Sequence, residues 1–331
     1  MPGTIRTRME TLKPRLFSLL KLFISGGLIV FLFARIGLDN VITHFLGLKW
    51  GWFGLSLAVF GFSNIIGALQ WYLLLLSRDI RLSWWHILGT YHVGLFFNNF
   101  LIGYVGGDAL RIYDIHKSSG DTTGAFSTVF FDRFIGFFSL TTLAIIVTLI
   151  WTRQLESYSA LVTLSIILTG WLIGLYVLFN EKAALFFARL FKAWVPQRMQ
   201  TRIKDIYYGI HIFRHDKRLL IRLFGISLVV QMMRIMVHYL VARAVGVDTS
   251  PGYFFIFIPI IALAASLPIS LGGIGVREQS GVALFAQVGI SSAPVIAFEL
   301  LAYIVGILAS IPGGIVFVLR KSRFDNGTSQ S

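Results

Sequence analysis

Eight long apolar runs divide the sequence, and no other feature limits its possible folds so strongly. The runs are Leu16–Ala34, Trp52–Leu76, Trp84–Tyr104, Phe134–Trp151, Leu161–Phe179, Leu223–Val241, Tyr253–Leu271 and Pro294–Leu319. Most of them approach the roughly 20 residues with which an α-helix crosses about 30 Å of hydrocarbon. Because the apolar residues are continuous rather than alternating, they predict helices and not strands. We therefore expect an all-α polytopic membrane protein in which residues 1–331 form one integral membrane domain.

The composition agrees with this interpretation. Hydrophobic residues make up 56% of the chain and charged residues 13%, about half the roughly 25% that is usual in a soluble protein. So few charges cannot cover a globular surface, which excludes soluble, disordered and coiled-coil classes. The net charge of +14 does not indicate a nucleic-acid partner, because Lys and Arg are concentrated between the apolar runs. The absence of cysteine excludes disulfides and Cys-ligated metals.

The distribution of Lys and Arg predicts an orientation through the positive-inside rule. The basic segments, which we expect in the cytoplasm, are residues 1–15, 180–218 and 320–331. The connections with one basic residue each, which we expect outside, are 36–51, 152–158 and 243–252. Both termini are then cytoplasmic, and the protein is a multi-pass protein of the cell membrane.

This orientation leaves one crossing too many in each half of the chain, so one run in each half must enter and leave on the same side. The best candidates are Trp84–Tyr104, interrupted by Asn98 and Asn99, and Tyr253–Leu271, interrupted by Pro259 and Pro268. The expected layout is six transmembrane helices plus two re-entrant hairpins. The alternative is eight plain spans.

Two glycine-rich motifs predict an inverted repeat. The pattern G-G-x-x-x-R occurs at Gly106–Arg111 and again at Gly272–Arg277, 166 positions later. Asp132 follows the first motif and Glu299 the second, each at the expected start of a span. The order of span, hairpin, motif and span thus occurs in repeat A, about 52–151, and in repeat B, about 219–319, with opposite orientation. Inverted repeats are typical of transporters, which bind substrates where broken helices meet near the membrane midplane.

The motif residues have the chemistry of a phosphate site, because backbone N–H groups at a helix start and a guanidinium both bind phosphate. The candidate substrate-binding residues are Gly106, Gly107, Asp108, Arg111, Asp132, Arg133, Gly272, Gly273, Gly275, Arg277, Glu278 and Glu299. The alternative for the glycines is close helix packing, and for the arginines it is snorkelling to headgroups.

The two acids have different sequence neighbours. Asp132 has Arg133 beside it and Arg111 in the same half, so we expect it to form a fixed ion pair. Glu299 has no basic neighbour in sequence, so it is the better candidate for proton exchange.

Further polar residues within the apolar runs predict a polar cavity. Gln231, Arg234 and His238 share one face of a helix at spacings of three and seven. Asn98 and Asn99 belong to the first hairpin. Charged groups at membrane depth cost about 2.5–3.5 kcal/mol each on insertion scales, so they are candidates for function. The alternative is a polar contact between helices.

Residues 181–218 carry many basic residues, with aromatic and leucine side chains at helical spacing. This pattern predicts a basic amphipathic connector that lies on an anionic membrane surface on the cytoplasmic side. The alternative is a plain connector that only enforces the topology.

Several chemical motifs are absent from the sequence. There is no phosphate-binding P-loop, no metal-ligand spacing and no Ser/His/Asp set. We therefore expect no cofactor, no metal and no enzymatic activity.

Three stretches resemble the lysylphosphatidylglycerol synthase transmembrane-region family: Ile102–Arg111, Phe131–Gly136 and Pro268–Glu278. They carry G-G-D-x-x-R, D-R-x-x-G and P-x-S-x-G-G-x-G-x-R-E, and the resemblance covers nearly the whole chain. It implies a flippase-like domain that moves lipids between leaflets. The soluble aminoacyl-transferase domain of the fused members is not expected after Leu319.

The leading functional hypothesis is a flippase for an anionic or aminoacylated phospholipid, or for a polyprenyl lipid or glycolipid. Its headgroup would bind Arg111 and Arg277. The alternatives are a membrane-embedded transferase and a non-catalytic partner of a separate lipid-modifying enzyme. A transferase would need an acid or base, and the available acids are Asp108, Asp132, Glu278 and Glu299.

Overall fold

A computed structural model describes residues 47–100, 105–150, 158–183, 186, 207–208, 213, 216–266 and 273–325. Its main helices are α1 Trp50–Leu76, α2 Trp84–Phe100, α3 Val105–Ser119, α4 Thr122–Ile150, α5 Tyr158–Phe179, α6 Lys217–Ala244, α7 Pro251–Ser266, α8 Val276–Phe285 and α9 Ser292–Asp325. No strand occurs among these residues. The run Leu16–Ala34, Pro268 and most of the connector 181–218 lie outside them.

Four of the described helices are long and apolar enough to cross a membrane. They are α1, α4, α6 and the part of α9 at Ser292–Leu319, each of 27 to 29 residues. Large apolar side chains on their surfaces, such as Phe62 and Val229, are exposed, as expected for side chains that face lipid. The chain is therefore a multi-pass, all-α membrane protein, and this part of the sequence prediction is confirmed.

The helices form two halves of similar composition, and these halves pack against each other. α1–α4 form the first half and α6–α9 the second, and each half contains a long, two short and a long helix. α1 packs on α6, α2 packs on α9, and α7 packs on α4. Each half therefore places its first short helix against the last helix of the other half, a reciprocal arrangement that a pseudo-two-fold relation produces.

The first helices of the two halves run antiparallel. At one end, the N–H group of Lys49, just before α1, donates to the carbonyl oxygen of Ala244 at 2.8 Å. At the other end, Leu74 of α1 and Leu223 of α6 are buried in the same apolar cluster. The two halves therefore present their first helices in opposite directions, which is the geometry that an inverted repeat requires.

Aromatic packing fixes the second half. Phe254 of α7, Phe285 of α8 and Phe298 of α9 are fully buried. The Phe285 ring lies 5.0 Å from Phe254 and 5.1 Å from Phe298, centroid to centroid, within the range of favourable aromatic pairs. This cluster holds the short helices against α9 and so sets the position of the residues around the second motif.

The prediction that Pro259 interrupts the second hairpin is wrong. α7 continues through Pro259 and ends at Ser266. A proline removes one helical hydrogen bond, but here Phe257, Ile258 and Ile261 are buried around it, and their packing keeps the helix intact.

The first hairpin is also less interrupted than expected. α2 extends to Phe100, so Asn98 and Asn99 lie in its last turn rather than at a break.

The two acids lie deeper in their helices than the sequence predicted. Asp132 lies about three turns into α4 and Glu299 about two turns into α9. α4 begins well before the apolar run at Phe134 because Asp121 caps it: the carboxylate accepts a hydrogen bond from the Gly124 N–H at 2.8 Å. Both acids are therefore inside helices and not at their entrances.

Candidate functional site

A cavity of about 400 Å³ lies between the two halves of the protein. Both halves contribute to its wall, and residues near the middle of long helices, such as Asn64 and Gln231, line it. Of the residues singled out from the sequence, the wall includes Asn98, Asn99, Asp108, Asp132, Arg133, Gln231, Arg234, His238 and Arg277. The cavity therefore concentrates charge between helices whose outer surfaces are apolar.

Other predicted site residues lie outside the wall: Gly106, Gly107, Arg111, Gly273, Gly275, Glu278 and Glu299. Gly272 lies outside the described residues. Each motif therefore contributes one charged residue to the wall, Asp108 from the first and Arg277 from the second, while the described motif glycines lie behind it.

Arg111 is buried, with 2% of its surface exposed. Its Nη2 donates to Asp132 Oδ2 at 2.9 Å, and its guanidinium carbon lies 4.0 Å from the Trp71 ring centroid and 4.8 Å from that of Tyr91. Gln70 Nε2 donates to the other Asp132 oxygen at 2.8 Å. The expected ion pair of Asp132 is confirmed, with Arg111 as the partner that touches it.

A second ion pair continues this network. Arg133 donates from Nε and Nη2 to the two oxygens of Asp108, both at 2.8 Å. Arg111 Nη1 lies 3.4 Å from Asp108 Oδ1 and so links the pairs. Bidentate pairs of this type are among the strongest hydrogen-bonded contacts in proteins. The two carboxylates of the first half are therefore matched by two guanidiniums.

Glu299 of the second half is fully buried. Its Oε1 lies 3.3 Å from His238 Nδ1 and its Oε2 lies 4.0 Å from Arg277 Nε. These are ion-pair distances, but neither oxygen has a hydrogen-bond partner within the described part of the chain. Glu299 has no basic neighbour in sequence, but α6 and α8 bring His238 and Arg277 to it in space.

The motif glycines mediate packing and capping. The N–H of Gly107 donates to Asn98 Oδ1 at 2.9 Å, and that of Gly275 donates to Glu278 Oε2 at 2.6 Å. A Cβ on Gly107 would collide with the Gly94 carbonyl oxygen, and Gly273, with φ +77°, packs on Ala265. Two N–H groups that sequence reasoning offered to a phosphate are thus bonded within the protein.

Tyr91 and Tyr303 also line the cavity, and sequence reasoning missed both. The Tyr91 hydroxyl accepts a hydrogen bond from Arg234 Nη2 at 3.3 Å. The Tyr303 hydroxyl donates to the Asn99 carbonyl oxygen at 2.8 Å. No local pattern marks a tyrosine of this kind, because Tyr is also enriched at membrane–water interfaces where it lines no site. No cluster of three His, Asp or Glu side chains suited to a metal occurs among the described residues.

The sequence is similar to one known family of membrane proteins over most of its length. The family model described as the lysylphosphatidylglycerol synthase TM region matches residues 18–314. A UPF0104 membrane protein of Methanothermobacter thermautotrophicus is 26% identical over 321 residues, covering 89% of this chain and 90% of the relative. A UPF0104 membrane protein of Pyrococcus horikoshii is 24% identical over 293 residues, covering 81% and 86%.

Proposed function

The chain belongs to the lysylphosphatidylglycerol synthase TM region family, and from this premise we propose that it moves a membrane lipid between leaflets. The observation that carries the proposal is the cavity of about 400 Å³, with charged and polar residues from both halves in its wall. A lipid headgroup that crosses hydrocarbon must give up its hydration, which is costly for charged groups. Fixed polar side chains along the path replace that hydration.

The size of the cavity suits a headgroup rather than a whole lipid. Ligand pockets for small molecules have volumes of about 300–1,000 Å³, and the present cavity lies near the lower end of this range. We infer that the headgroup enters the cavity while the acyl chains stay in the surrounding lipid. The apolar outer faces of the long helices are compatible with such an arrangement.

We propose the orientation that the basic residues predict, with six transmembrane helices, two re-entrant hairpins and both termini in the cytoplasm of a cell-membrane protein. α2, α3, α7 and α8 have 17, 15, 16 and 10 residues, which is shorter than the roughly 20 of a span. The hydrogen bond from the Lys49 N–H to the Ala244 carbonyl oxygen brings the start of α1 and the end of α6 to the same side, which agrees with the expected position of Lys49 and Arg243 outside. The basic connector 181–218 would lie on anionic headgroups.

Thiol labelling tests this orientation, because the chain has no cysteine of its own. A membrane-impermeant reagent applied from outside should label Lys49→Cys and Arg243→Cys, and it should leave Arg198→Cys unlabelled in intact cells. External labelling at position 198 would refute the proposed orientation.

We propose that the chain is not an enzyme. A transferase would need a free acid or base, but three of the four carboxylates considered for that role are hydrogen-bonded, and the fourth, Glu299, is fully buried outside the cavity wall. Asp108 and Asp132 are paired with arginines. The Glu278 carboxylate caps α8, and Glu299 faces His238 and Arg277.

Lipid movement can be measured in liposomes that contain purified protein and a phospholipid with a fluorescent acyl chain. A membrane-impermeant reductant quenches about half of the fluorescence when only the outer leaflet is exposed. We expect nearly complete quenching with wild-type protein and no new lipid species by mass spectrometry. A new covalent product would support the transferase, and neither result with the protein alone would support a partner role.

A matched pair of glycine variants links the movement to the cavity. Gly136 lines the cavity, and a Cβ there would lie 3.2 Å from Gln231 Nε2, whereas one on Gly170 of α5 would meet nothing within 4 Å. We expect Gly136→Leu to slow lipid movement at least about tenfold and Gly170→Leu to leave it unchanged. Equal rates of lipid movement in both variants would mean that the lipid does not pass through the cavity.

A further inference from the structure

Arg234 differs from the other cations around the cavity. Its guanidinium lines the wall, and its Nη2 donates to the uncharged hydroxyl of Tyr91 at 3.3 Å. Its Nε is buried without a hydrogen-bond partner, and no carboxylate of the described residues lies at ion-pair distance from it. A guanidinium held inside a membrane domain without a counterion is costly, so a mobile anion is the group that would stabilise it.

The remaining arginines of the cavity already have carboxylates. Arg133 forms two bonds of 2.8 Å with Asp108. Arg277 Nε lies 4.0 Å from Glu299 Oε2. An incoming anion would therefore have to compete with an internal carboxylate at these two positions, but not at Arg234.

Two neutral donors of α2 line the same cavity wall as Arg234. The Tyr91 hydroxyl accepts from Arg234, which leaves its own O–H free to donate to a ligand. Asn98 is 3% exposed and lines the wall. Its Oδ1 is held by the Gly107 N–H. Its Nδ2 makes no hydrogen bond of good geometry, although the Asp108 carboxylate lies close to it. A phosphate oxygen in the cavity would offer this donor a well-directed hydrogen bond.

The same wall offers no free carboxylate to a cationic headgroup. Asp108 is neutralised by Arg133, and Asp132 is neutralised by Arg111. An ammonium group that entered the cavity would meet Arg234 without a compensating acid. Like charges at close range in a site of low dielectric are unfavourable.

We propose that Arg234, with Tyr91 and Asn98, is the anion-binding site of this cavity, and that its ligand is the phosphate of a lipid headgroup with net negative charge rather than an aminoacylated, cationic one. The lipid part of this inference rests on the proposed function. The phosphate chemistry itself is shared with free phosphate, so the test must separate the two sources.

Calorimetric titration of the purified protein in an uncharged detergent makes the test. The probes are dihexanoyl-phosphatidylglycerol, its lysyl ester and inorganic phosphate. We expect the wild type to bind the phosphatidylglycerol at least about tenfold more tightly than the lysyl ester, which corresponds to about 1.4 kcal/mol. Inorganic phosphate should bind more weakly than the phosphatidylglycerol and depend on the same arginine.

Arg234→Gln should weaken binding of the phosphatidylglycerol at least about tenfold. Arg222→Gln is the matched control, because Arg222 is an exposed arginine of the same helix and should change the affinity less than about twofold. If Arg234→Gln does not yield monodisperse protein, Arg234→Lys and Tyr91→Phe replace it. We expect each to weaken binding about threefold or more, the former because lysine lacks the planar fork.

Three results would overturn the anion site. These are undiminished binding to Arg234→Gln or to both replacement variants, binding of the lysyl ester as tight as that of phosphatidylglycerol, and no binding of either anion to the wild type. Inorganic phosphate that binds as tightly as the lipid would refute the lipid as the ligand. Wild-type binding that depends on Arg234, without lipid movement in liposomes, would instead refute the proposed function and leave the anion site intact.

Discussion

Asp132 and Glu299 occupy corresponding positions in the two halves, yet only the Asp132 carboxylate is hydrogen-bonded. Asp132 receives hydrogen bonds of 2.9 Å from Arg111 and 2.8 Å from Gln70. Glu299 lies 4.0 Å from Arg277 and 3.3 Å from His238, with no hydrogen bond to either oxygen.

The partners also correspond in pairs. Arg111 and Arg277 end the two glycine motifs, and Gln70 and His238 stand at equivalent places in α1 and α6. In the first half a neutral amide thus contacts the acid, and in the second half a histidine does so. We infer that the first half is a fixed support and that the second half is where protonation can change the site.

The largest expected effect is a difference in protein stability between variants of the two acids. Asp132→Asn should leave the buried Arg111 with only its 3.4 Å contact to Asp108, and breaking a buried pair in this way costs about 3–5 kcal/mol. We expect a strong loss of monodisperse protein and a lower thermal unfolding midpoint in detergent. Glu299→Gln should lower the midpoint much less, because its carboxylate makes no hydrogen bond.

The control for Asp132→Asn is Asp79→Asn. Asp79 forms an exposed pair with Arg81, and asparagine tolerates its positive φ of 55°, so the midpoint should barely move. If Asp132→Asn were as harmless as Asp79→Asn, the first half would not be the fixed support described above.

A smaller effect is expected from the motif arginines. Arg111 contacts two carboxylates and lies over two aromatic rings, which a lysine ammonium cannot reproduce. Arg111→Lys should therefore destabilise the protein by about 2 kcal/mol, in line with lost hydrogen bonds to charged groups. Arg277→Lys should cost less, since its carboxylate is more distant. Unfolding midpoints of the two variants measure the difference, and a larger loss for Arg277→Lys would reverse the comparison.

The third prediction concerns how lipid movement depends on pH, and its variants should change protein stability little. Glu299 faces His238 from α6 and both Arg277 and Glu278 from α8. If protonation at this cluster releases the headgroup, wild-type lipid movement should change with pH. Glu299→Gln and His238→Gln should each flatten this profile, the latter by copying Gln70 into the second half.

His116→Gln serves as the control for the pH series. His116 is an exposed histidine that contacts Thr122 and is not part of the cavity wall, so its variant should keep the wild-type profile. A profile for Glu299→Gln that matches the wild type would remove Glu299 from the mechanism and favour passive scrambling.

Much of the fold was predictable from local properties of the sequence. Continuous apolar runs predict helices, and the run at Trp52–Leu76 agrees with α1 to within two residues. Boundaries failed where polar residues extend a helix, as at Thr122, because a cap such as Asp121 and not hydrophobicity decides where a helix begins. The prediction of a break at Pro259 failed because the burial of its apolar neighbours outweighs the loss of one helical hydrogen bond.

The sequence predicted which residues belong to the site better than it predicted how these residues contact one another. The residues Gln231, Arg234 and His238 share one face by helical spacing, and all three line the cavity. Sequence could not reveal that Arg111 is enclosed by Trp71 and Tyr91, since these contacts join helices distant in the chain. For the same reason it could not identify the histidine beside Glu299 or the arginine without an acid.

The central claim, that a lipid headgroup enters the cavity between the halves, can be tested by covalent trapping in this cysteine-free chain. Gly306 lines the cavity and Gly170 lies in open space on α5. Liposomes with Gly306→Cys or Gly170→Cys protein and a phospholipid that carries a maleimide on its headgroup should give a lipid adduct at position 306 by intact mass, with lipid movement blocked. An adduct only at position 170, or none at position 306 while lipid movement continues, would contradict the claim.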